Sequence, residues 1–292
     1  MTRQYKTIVR GGTFFESPRW HDGRWYVSDI FRSAVVSVAE DGSDLRDFAQ
    51  LRQYISGSDW LPSGSLLVVL RDRRALAQVD PDGKVAEYAS LACFGRGLAG
   101  DMVVSRDGCA YVAILGFGLA EFHTLRPGEL PPAGLVARVD PDGYTSVAAE
   151  GLLSPNGMVI AEDGKTLVVG ETLARRYTAF SIEGDGRLCR RRVWAEVSGQ
   201  PDGCTLDVHG RIWYADASGS RFVLVEEAGS VAAELTLPSG LGGLNAYACM
   251  LGGSDGRTLL MCCSPRPGGP EGAAAGSVLI STRVEDPHAG RP

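Results

Sequence analysis

Long apolar runs are absent from this sequence of 292 residues. The longest, such as Leu66–Leu70, have the length of a strand and are far too short to cross a bilayer. The first ten residues, MTRQYKTIVR, lack the apolar segment of a secretory signal. We therefore expect a cytoplasmic protein with no membrane partner.

Positive charge is also in short supply. The chain carries 29 Lys and Arg against 35 Asp and Glu, which gives a formal net charge of −6. A mildly acidic surface gives no electrostatic reason to bind nucleic acid or anionic lipid. Two short basic clusters, at residues 71–74 and 190–192, are interpreted as solvated turns or edge strands. The expected partner is a small-molecule substrate, and the expected assembly is a monomer or a weak homo-oligomer.

Paired cysteine motifs are missing as well. The seven cysteines are odd in number, none forms a C-x-x-C, and several lie in apolar segments, which predicts reduced, buried thiols. Cys262 and Cys263 are expected to point to opposite faces of one strand. The four histidines show no spacing of metal ligands. A G-x-S-x-G match at 252–256 lies in a predicted hairpin, whereas a nucleophile elbow needs a strand-to-helix turn.

A repeat is what the sequence does contain. Six times, a turn rich in Asp and Gly is followed by a short apolar segment, at residues 20–29, 61–70, 105–114, 161–170, 207–216 and 253–262. The turn glycines lie 41 to 56 residues apart and are Gly23, Gly64, Gly108, Gly164, Gly210 and Gly256. A repeat of this length with several strands per copy is typical of a β-propeller.

A second set of turns alternates with the first, at residues 38–44, 79–85, 139–145, 183–189 and 226–232. Each repeat then holds about four strands. The sequence therefore predicts an all-β fold, a six-bladed β-propeller with four-stranded antiparallel blades, as a single domain over residues 1–292. Because an open ring leaves sheet edges unpaired, the N-terminal segment 5–10 is predicted to close the ring as the outermost strand of the last blade.

Two loops interrupt the regular pattern. The segment at about 116–136 is a long insertion, and such an insertion in an all-β fold is often a lid or a binding loop. It carries His123, a candidate substrate contact and proton donor, although a disordered insertion is an open alternative. The segment 264–276, rich in Pro, Gly and Ala, is predicted to join the last two strands.

Polar residues recur at one phase of the repeat. Seven or eight residues before the turn glycines, where each blade starts near the axis, stand Glu16, Asn156 and Asp202, with Asp59 and Asp101 close in phase. Two carboxylates and an amide that converge there would need a cation, and their hard oxygens suit Ca²⁺, Mg²⁺ or Mn²⁺ and tolerate Zn²⁺ or Fe²⁺. The alternative is that the Asn-Gly and Asp-Gly pairs form ordinary turns.

Four segments of the chain match those of a known family. The chain resembles the SMP-30/gluconolactonase/luciferin-regenerating-enzyme-like family of six-bladed propellers in the segments GTFFESPRW (12–20), LSPNGMVIAEDGKTLVV (153–169), PDGCTLDVHGRIWYAD (201–216) and ACMLGGSDGRTLLMCC (248–263). The resemblance implies that Glu16, Asn156 and Asp202 bind one divalent cation. It also implies that Asp202 is the general base, with Asp101 beside it as a second candidate.

One run departs from the family. Sugar lactonases of the family carry Arg-x-Asn-Asp before the third inner hairpin, and its Arg and Asn contact the substrate. Here the run is Leu98-Ala99-Gly100-Asp101, and Arg96 lies two residues too early. The expected substrate contacts are then Gly100, Asp101, Asn156 and His123. The replacement of the polar Arg and Asn by Leu98 and Gly100 predicts a substrate that is less polar or bulkier than a typical sugar lactone.

The expected function is hydrolysis of a small lactone that depends on one divalent cation, Ca, Zn, Mn, Mg or Fe. A second hypothesis is that the same cation stabilises an enolate, as in an aldolase or isomerase. A third reading is a non-catalytic propeller that binds a partner, since this fold hosts many functions.

Overall fold

The alternating turns and apolar segments form antiparallel sheets. The structure, a computed structural model, describes residues 4–126, 128–266 and 276–290, and within them lie six sheets of four strands each. In chain order the elements are β1 (Lys6–Gly12), β2 (Phe15–His21), β3 (Arg24–Asp29), β4 (Ala34–Ala39), β5 (Arg46–Gln50), β6 (Ile55–Trp60), β7 (Leu66–Leu70), β8 (Ala75–Val79), β9 (Val85–Ser90), β10 (Ala99–Val104), β11 (Ala110–Ile114), α1 (Leu119–His123), β12 (Gly134–Val139), β13 (Thr145–Leu152), β14 (Pro155–Ile160), β15 (Thr166–Glu171), β16 (Arg176–Ile182), β17 (Leu188–Glu196), β18 (Pro201–Leu206), β19 (Ile212–Asp216), β20 (Arg221–Val225), β21 (Val231–Thr236), β22 (Leu244–Gly252), β23 (Thr258–Pro265) and β24 (Ser277–Arg283). No helix in these ranges is long and apolar enough to cross a membrane.

Each sheet is one blade of a closed ring. Blades 1 to 5 consist of β2–β5, β6–β9, β10–β13, β14–β17 and β18–β21, while blade 6 has the order β1-β24-β23-β22. The first strands β2, β6, β10, β14, β18 and β22 each contact the first strands of both neighbouring blades, so they surround a common axis. The predicted six-bladed propeller is confirmed, and so is its closure, because β1 pairs antiparallel with β24 at the outer edge of blade 6.

Apolar side chains fill the spaces between adjacent blades. Leu67 and Val69 of blade 2, for example, share one buried cluster with Val112 of blade 3. Cys262 and Cys263 lie in different clusters, on the two faces of blade 6, as predicted. All seven cysteines belong to the described residues and are free, and five of them are buried.

The first strands share an irregularity near their start. Their pairing with the second strands shifts between Glu16 and Arg19, Ile55 and Ser58, Ala99 and Met102, Pro155 and Met158, Pro201 and Cys204, and Ala246 and Ala248. Such bulges redirect side chains and are frequent next to active sites. All of them lie at one end of the ring, which we call the upper mouth. The Asp-Gly turns lie at the other end, the lower mouth.

The insertion at 116–136 belongs to blade 3. It connects β11 with β12 and contains α1. At its base, the N–H of Leu115 donates to the carbonyl of Leu98 at 2.9 Å, and the N–H of Leu98 donates to the carbonyl of Phe117 at 3.3 Å. The insertion is thereby fixed to the run that leads to Asp101, and its action as a lid stays a prediction. Of the predicted loop 264–276, residues 267–275 lie outside the described residues.

Candidate functional site

The upper mouth gathers three carboxylates. Glu16 is 7% exposed, Asp202 is 9% exposed and Asp101 is half-buried. Burial raises the pKa of Glu16 well above its usual value, and the charges of Asp202 and Asp101 raise it further. Burial, followed by the charge of Asp101, likewise raises the pKa of Asp202. Side chains from blades 1, 3 and 5 therefore lie within electrostatic range of one another at the upper mouth, and the assignment of Glu16, Asn156 and Asp202 as ligands stays a prediction.

Backbone geometry at Glu16 directs its carboxylate. The next residue, Ser17, has a φ of 49°, a left-handed conformation that is uncommon for a residue with a side chain. Its N–H donates to Oε2 of Glu16 at 3.0 Å, and its hydroxyl accepts the N–H of Ser58 at 2.8 Å. The hydrogen bond from Ser58 of blade 2 therefore fixes the backbone at Ser17, next to Glu16.

Close packing of strands brings Asn156 and Asp202 together. A Cβ on Gly157 would collide with the carbonyl oxygen of Asp202, and a Cβ on Gly203 would lie 2.6 Å from that of Ala248. Both glycines lie in strands, β14 and β18. The interpretation of the Asn-Gly and Asp-Gly pairs as ordinary turns is therefore wrong, because these glycines are needed for the approach of neighbouring first strands.

The amide of Asn156 has a defined orientation. The hydroxyl of Thr172 donates to the carbonyl of Pro201 at 2.8 Å, which uses its one hydrogen. Thr172 Oγ1 therefore accepts from Asn156 Nδ2, at 3.2 Å. The same amide donates to the carboxylate of Asp202 and so opposes the rise in its pKa. With its nitrogen directed at these two acceptors, Asn156 accepts no hydrogen bond through Oδ1 from any residue that the structure describes, so this oxygen can serve as a ligand.

A second layer of acidic residues supports the segments that precede Glu16, Asn156 and Asp202. Oδ1 of Asp29 accepts the N–H of Thr13 at 2.9 Å and of Phe14 at 3.1 Å. The corresponding bonds in blades 4 and 5 run from the N–H of Leu153 to Glu171 Oε2 at 2.8 Å and from the N–H of Gln200 to Asp216 Oδ1 at 2.9 Å. The equivalent register positions of blades 2 and 3 hold the apolar Leu70 and Ile114.

Arg19 lies below the carboxylates. It is 8% exposed, and its guanidinium donates to the carbonyls of Pro18 at 2.8 Å and Met102 at 2.9 Å. Its Nε also lies 3.3 Å from Oδ1 of Asp59. Asp59, close in phase to the site residues in the sequence, is thus paired with Arg19. Both line a cavity of about 310 Å³ that opens at the lower mouth and does not include Glu16, Asp101 or Asp202.

The donor set fits a hard divalent cation. Glu16 and Asp202 offer carboxylate oxygens and Asn156 an amide oxygen, and the repulsion among buried carboxylates would be relieved by positive charge. Across residues 4–126, 128–266 and 276–290, no group of three or more His, Cys, Asp or Glu side chains is arranged to hold a metal ion. The predicted set contains only two side chains of those types, so it depends on the Asn156 oxygen and on further ligands from solvent or substrate.

Two predicted substrate contacts have different surroundings. Gly100 is half-buried in β10, and the nearest atoms that a Cβ would meet belong to Ala113, at 3.9 Å, so a side chain has room here. His123 is exposed at the end of α1, and its ring lies 6.2 Å from that of Phe122. None of the contacts described for His123 involves the three carboxylates, and its role stays a prediction.

Sequence reasoning missed an aromatic wall at the upper mouth. In blade 6, a count of seven or eight residues back from Gly256 reaches Cys249 and Ala248. The bulge is occupied by Tyr247 instead, because the hairpin of blade 6 is two residues longer than that of blade 5. Burial, followed by the charge of Asp202, raises the pKa of Tyr247 to about 12. Its ring lies 4.7 Å from that of Phe14, and this pair packs with Ile30, Phe31 and Tyr54.

Comparison with known proteins identifies the family of the chain. The sequence description of the SMP-30/Gluconolactonase/LRE-like region matches residues 14–264. The chain is 26% identical to 6-deoxy-6-sulfogluconolactonase of Pseudomonas putida over 254 residues, covering 74% of this chain and 86% of the relative. It is 28% identical to pentonolactonase XacC of Haloferax volcanii over 245 residues, covering 82% of this chain and 78% of the relative.

A solved structure shares the whole fold. The calcium-binding protein regucalcin of Agrobacterium tumefaciens superposes with a TM-score of 0.75 at 17% identity, over 99% of this chain and 98% of that protein. The similarity extends through all six blades and includes the strands that carry Glu16, Asn156 and Asp202.

Proposed function

The chain belongs to the SMP-30/gluconolactonase/LRE-like family, and from that premise we propose that it is a divalent-metal-dependent hydrolase that opens a small lactone. Lactone hydrolysis, a carboxylic-ester hydrolysis, is the reaction named for both curated relatives. The expectation of a lactonase-like enzyme is confirmed at that level. The cation, the residue roles and the substrate are the parts we propose.

The observation that carries the proposal is the convergence of Glu16, Asp101 and Asp202 beside Asn156 at one mouth of the ring. Buried carboxylates that raise one another's pKa are unfavourable unless a positive charge joins them. We assign Glu16, Asn156 and Asp202 as the ligands of one cation. The oxygen donors favour a hard cation, and among the hard cations we propose calcium because the structural neighbour regucalcin is a calcium-binding protein.

When bound, such a cation polarises a lactone carbonyl and lowers the pKa of water. Asp202 accepts the proton of the attacking water, and Asp101, on the same point of the axis, provides a second acceptor for it. The bond between the carbonyl carbon and the ring oxygen then breaks, and the carboxylic acid formed by proton uptake returns its proton to the ring oxygen, so no further acid is required.

The walls of the mouth select the substrate. Leu98 and Gly100 stand where the family's sugar lactonases carry Arg and Asn, and Phe14, Tyr54 and Tyr247 add aromatic surface. These groups offer few partners to a ring with a hydroxyl on every carbon. We therefore propose a lactone with fewer hydroxyls than gluconolactone.

The test is a metal analysis of the purified protein followed by assays with that metal restored. A panel of lactones and a panel of keto acids are compared, with and without a chelator. We expect chelator-sensitive lactone hydrolysis that Asp202→Asn abolishes, while Asp163→Asn, the same change in an exposed turn, leaves it intact. Turnover of keto acids alone would favour enolate chemistry instead. Full lactonase activity in the Asp202 variant would contradict the assignment of the base.

A further inference from the structure

We propose that Arg71 of blade 2 takes the place of the missing Arg in the 98–101 run, and that the substrate is a lactone that carries an anionic group such as a carboxylate. This inference rests on the proposed lactone hydrolysis and names the class of lactone. It follows from the position of Arg71, from its lack of a partner and from the groups around it.

Arg71 lies where two blades meet at the upper mouth. It follows β7 directly, and its N–H donates to the carbonyl of Tyr54 at 2.9 Å. Its own carbonyl accepts the N–H of Ala99 at 3.1 Å. Ala99 stands between Leu98 and Gly100, the two positions that lost their polar side chains. The Arg71 backbone is therefore bonded to the run from which the family's arginine would extend.

The guanidinium of Arg71 is affected by a charge of the site. Although the sequence indicated a solvated turn at 71–74, Arg71 is half-buried, and burial lowers the pKa of its guanidinium. The charges of Asp72, Tyr54 and Glu16 act in the opposite direction. Glu16 belongs to another blade and is a proposed metal ligand, so the guanidinium lies within electrostatic reach of the reaction centre.

The three arginines of this turn differ in their partners. Arg73 pairs with Glu87, at 2.5 Å, and Arg74 donates to the carbonyl of Gly97 at 3.1 Å. Arg71 has neither an ion pair nor a side-chain hydrogen bond with any described residue. A partly buried guanidinium without a partner is unfavourable, and a bound anion removes that penalty.

The surroundings of Arg71 favour an anion over a set of hydroxyls. Tyr54 packs edge-to-face on Phe31 with ring centroids 5.4 Å apart, and Phe31 packs on Phe14 at 6.0 Å. This aromatic wall can cover an apolar ring, while the fork of Arg71 can bind a carboxylate through two parallel hydrogen bonds. One end of the substrate is then placed on Arg71, and its ester on the carboxylate side of the mouth.

The experiment uses a matched pair of small lactones, 5-oxotetrahydrofuran-2-carboxylate and its carboxamide. They have nearly the same shape and differ in charge. Binding to the metal-loaded protein is measured by calorimetry, and hydrolysis by release of acid, for the parent protein, Arg71→Gln and Arg71→Lys. Arg73→Gln, an exposed arginine of the same turn, is the control. Metal content is measured for each variant.

We expect the parent protein to prefer the carboxylate and Arg71→Gln to weaken its binding about 10- to 100-fold, with kcat and metal content little changed. Arg71→Lys keeps part of the preference, since it retains the charge without the planar fork. The carboxamide binds equally to all variants. An unchanged preference in Arg71→Gln would overturn the inference. So would equal losses for both lactones together with loss of metal, which would make Arg71 a counter-charge for Glu16.

Failure of the two proposals can be told apart. If the parent protein binds the carboxylate through Arg71 but hydrolyses neither lactone, the proposed hydrolysis fails and the anion site stands. If it hydrolyses both lactones with equal KM, hydrolysis stands and the anion site fails.

Discussion

Thr172 determines which end of the Asn156 amide faces the acidic centre. Its hydroxyl gives its hydrogen to the carbonyl of Pro201 at 2.8 Å and accepts from Asn156 Nδ2 at 3.2 Å. Pro201 directly precedes Asp202, so one hydroxyl links two proposed ligands from different blades. This relationship could not be predicted from the repeat. Thr172 follows the second strand of blade 4 and does not share the repeat position of Glu16, Asn156 and Asp202.

Replacing Thr172 by Val removes both bonds and keeps the shape of the side chain. We expect the affinity for the divalent cation to fall about tenfold, in line with the loss of one or two hydrogen bonds that position a ligand. Thr172→Ser, which keeps the hydroxyl, should stay close to the parent protein. Titration of the metal-free protein with Ca²⁺ by calorimetry measures the effect. Equal affinities for Val and Ser would contradict the orienting role.

Asp202→Asn is expected to stabilise the metal-free protein while it weakens metal binding. The folded state raises the pKa of Asp202, so at pH 7 the charged carboxylate costs stability that the neutral amide does not. The gain should be about 0.5–2 kcal/mol in the free energy of unfolding. It should shrink as the pH falls and the parent carboxyl takes up its proton. Urea unfolding with excess chelator at several pH values measures it, and a destabilised variant at pH 7 would contradict it.

The stability contribution of Glu171 depends on pH in the opposite direction to that of Asp202. Burial acts to raise its pKa, but hydrogen bonds from Arg176 at 2.8 Å and from Thr178 at 2.5 Å hold it below its usual value. A depressed pKa contributes stability above the unfolded value of about 4.3, and this contribution is lost as the pH falls through the folded value. The difference in unfolding free energy between the parent protein and Glu171→Gln should thus be largest near neutrality and decrease on acidification. Urea unfolding at several pH values measures this difference, with Glu162→Gln, the same change at an exposed position, as the control.

Two glycines of the first strands should respond in opposite ways to a side chain. Gly157→Ala places a methyl group against the carbonyl of Asp202 and is expected to cost about 1–3 kcal/mol of stability and to weaken metal binding. Gly100→Ala has room and should be nearly neutral. Thermal unfolding of both variants compares them directly.

The room at Gly100 also allows a gain of function. Leu98→Arg combined with Gly100→Asn restores the polar pair of the family's sugar lactonases. We expect hydrolysis of gluconolactone to rise relative to that of less hydroxylated lactones. A double variant that folds, binds metal and keeps the parent's substrate ranking would contradict the proposed role of this wall.

The repeat made the fold predictable. Turn glycines at a regular interval, such as Gly164 and Gly210, marked the blades, and the common phase of Glu16, Asn156 and Asp202 pointed to one mouth of the ring. These inferences depend on periodicity, which a sequence displays directly.

The features of the site that the sequence did not predict depend on contacts between blades. Arg71 lies in a turn of charged residues, and nothing in its local sequence distinguishes it from Arg73, which the structure leaves exposed. Tyr247 lies outside the repeat phase of the other blades because the hairpin of blade 6 has two extra residues. A side chain that reaches across from a neighbouring blade leaves no periodic signal.

Blade 6 combines the N-terminal strand β1 with the last three strands of the chain, and this affects the order in which the upper mouth folds. The N–H of Phe15, next to Glu16, donates to the hydroxyl of Ser277 at 3.3 Å, across 262 residues of chain. Contacts between segments so far apart in the chain form late, because a long loop has to close before they can be made. The segment that presents Glu16 can therefore be held in place only after β24 has joined blade 6, so this part of the mouth forms late in folding.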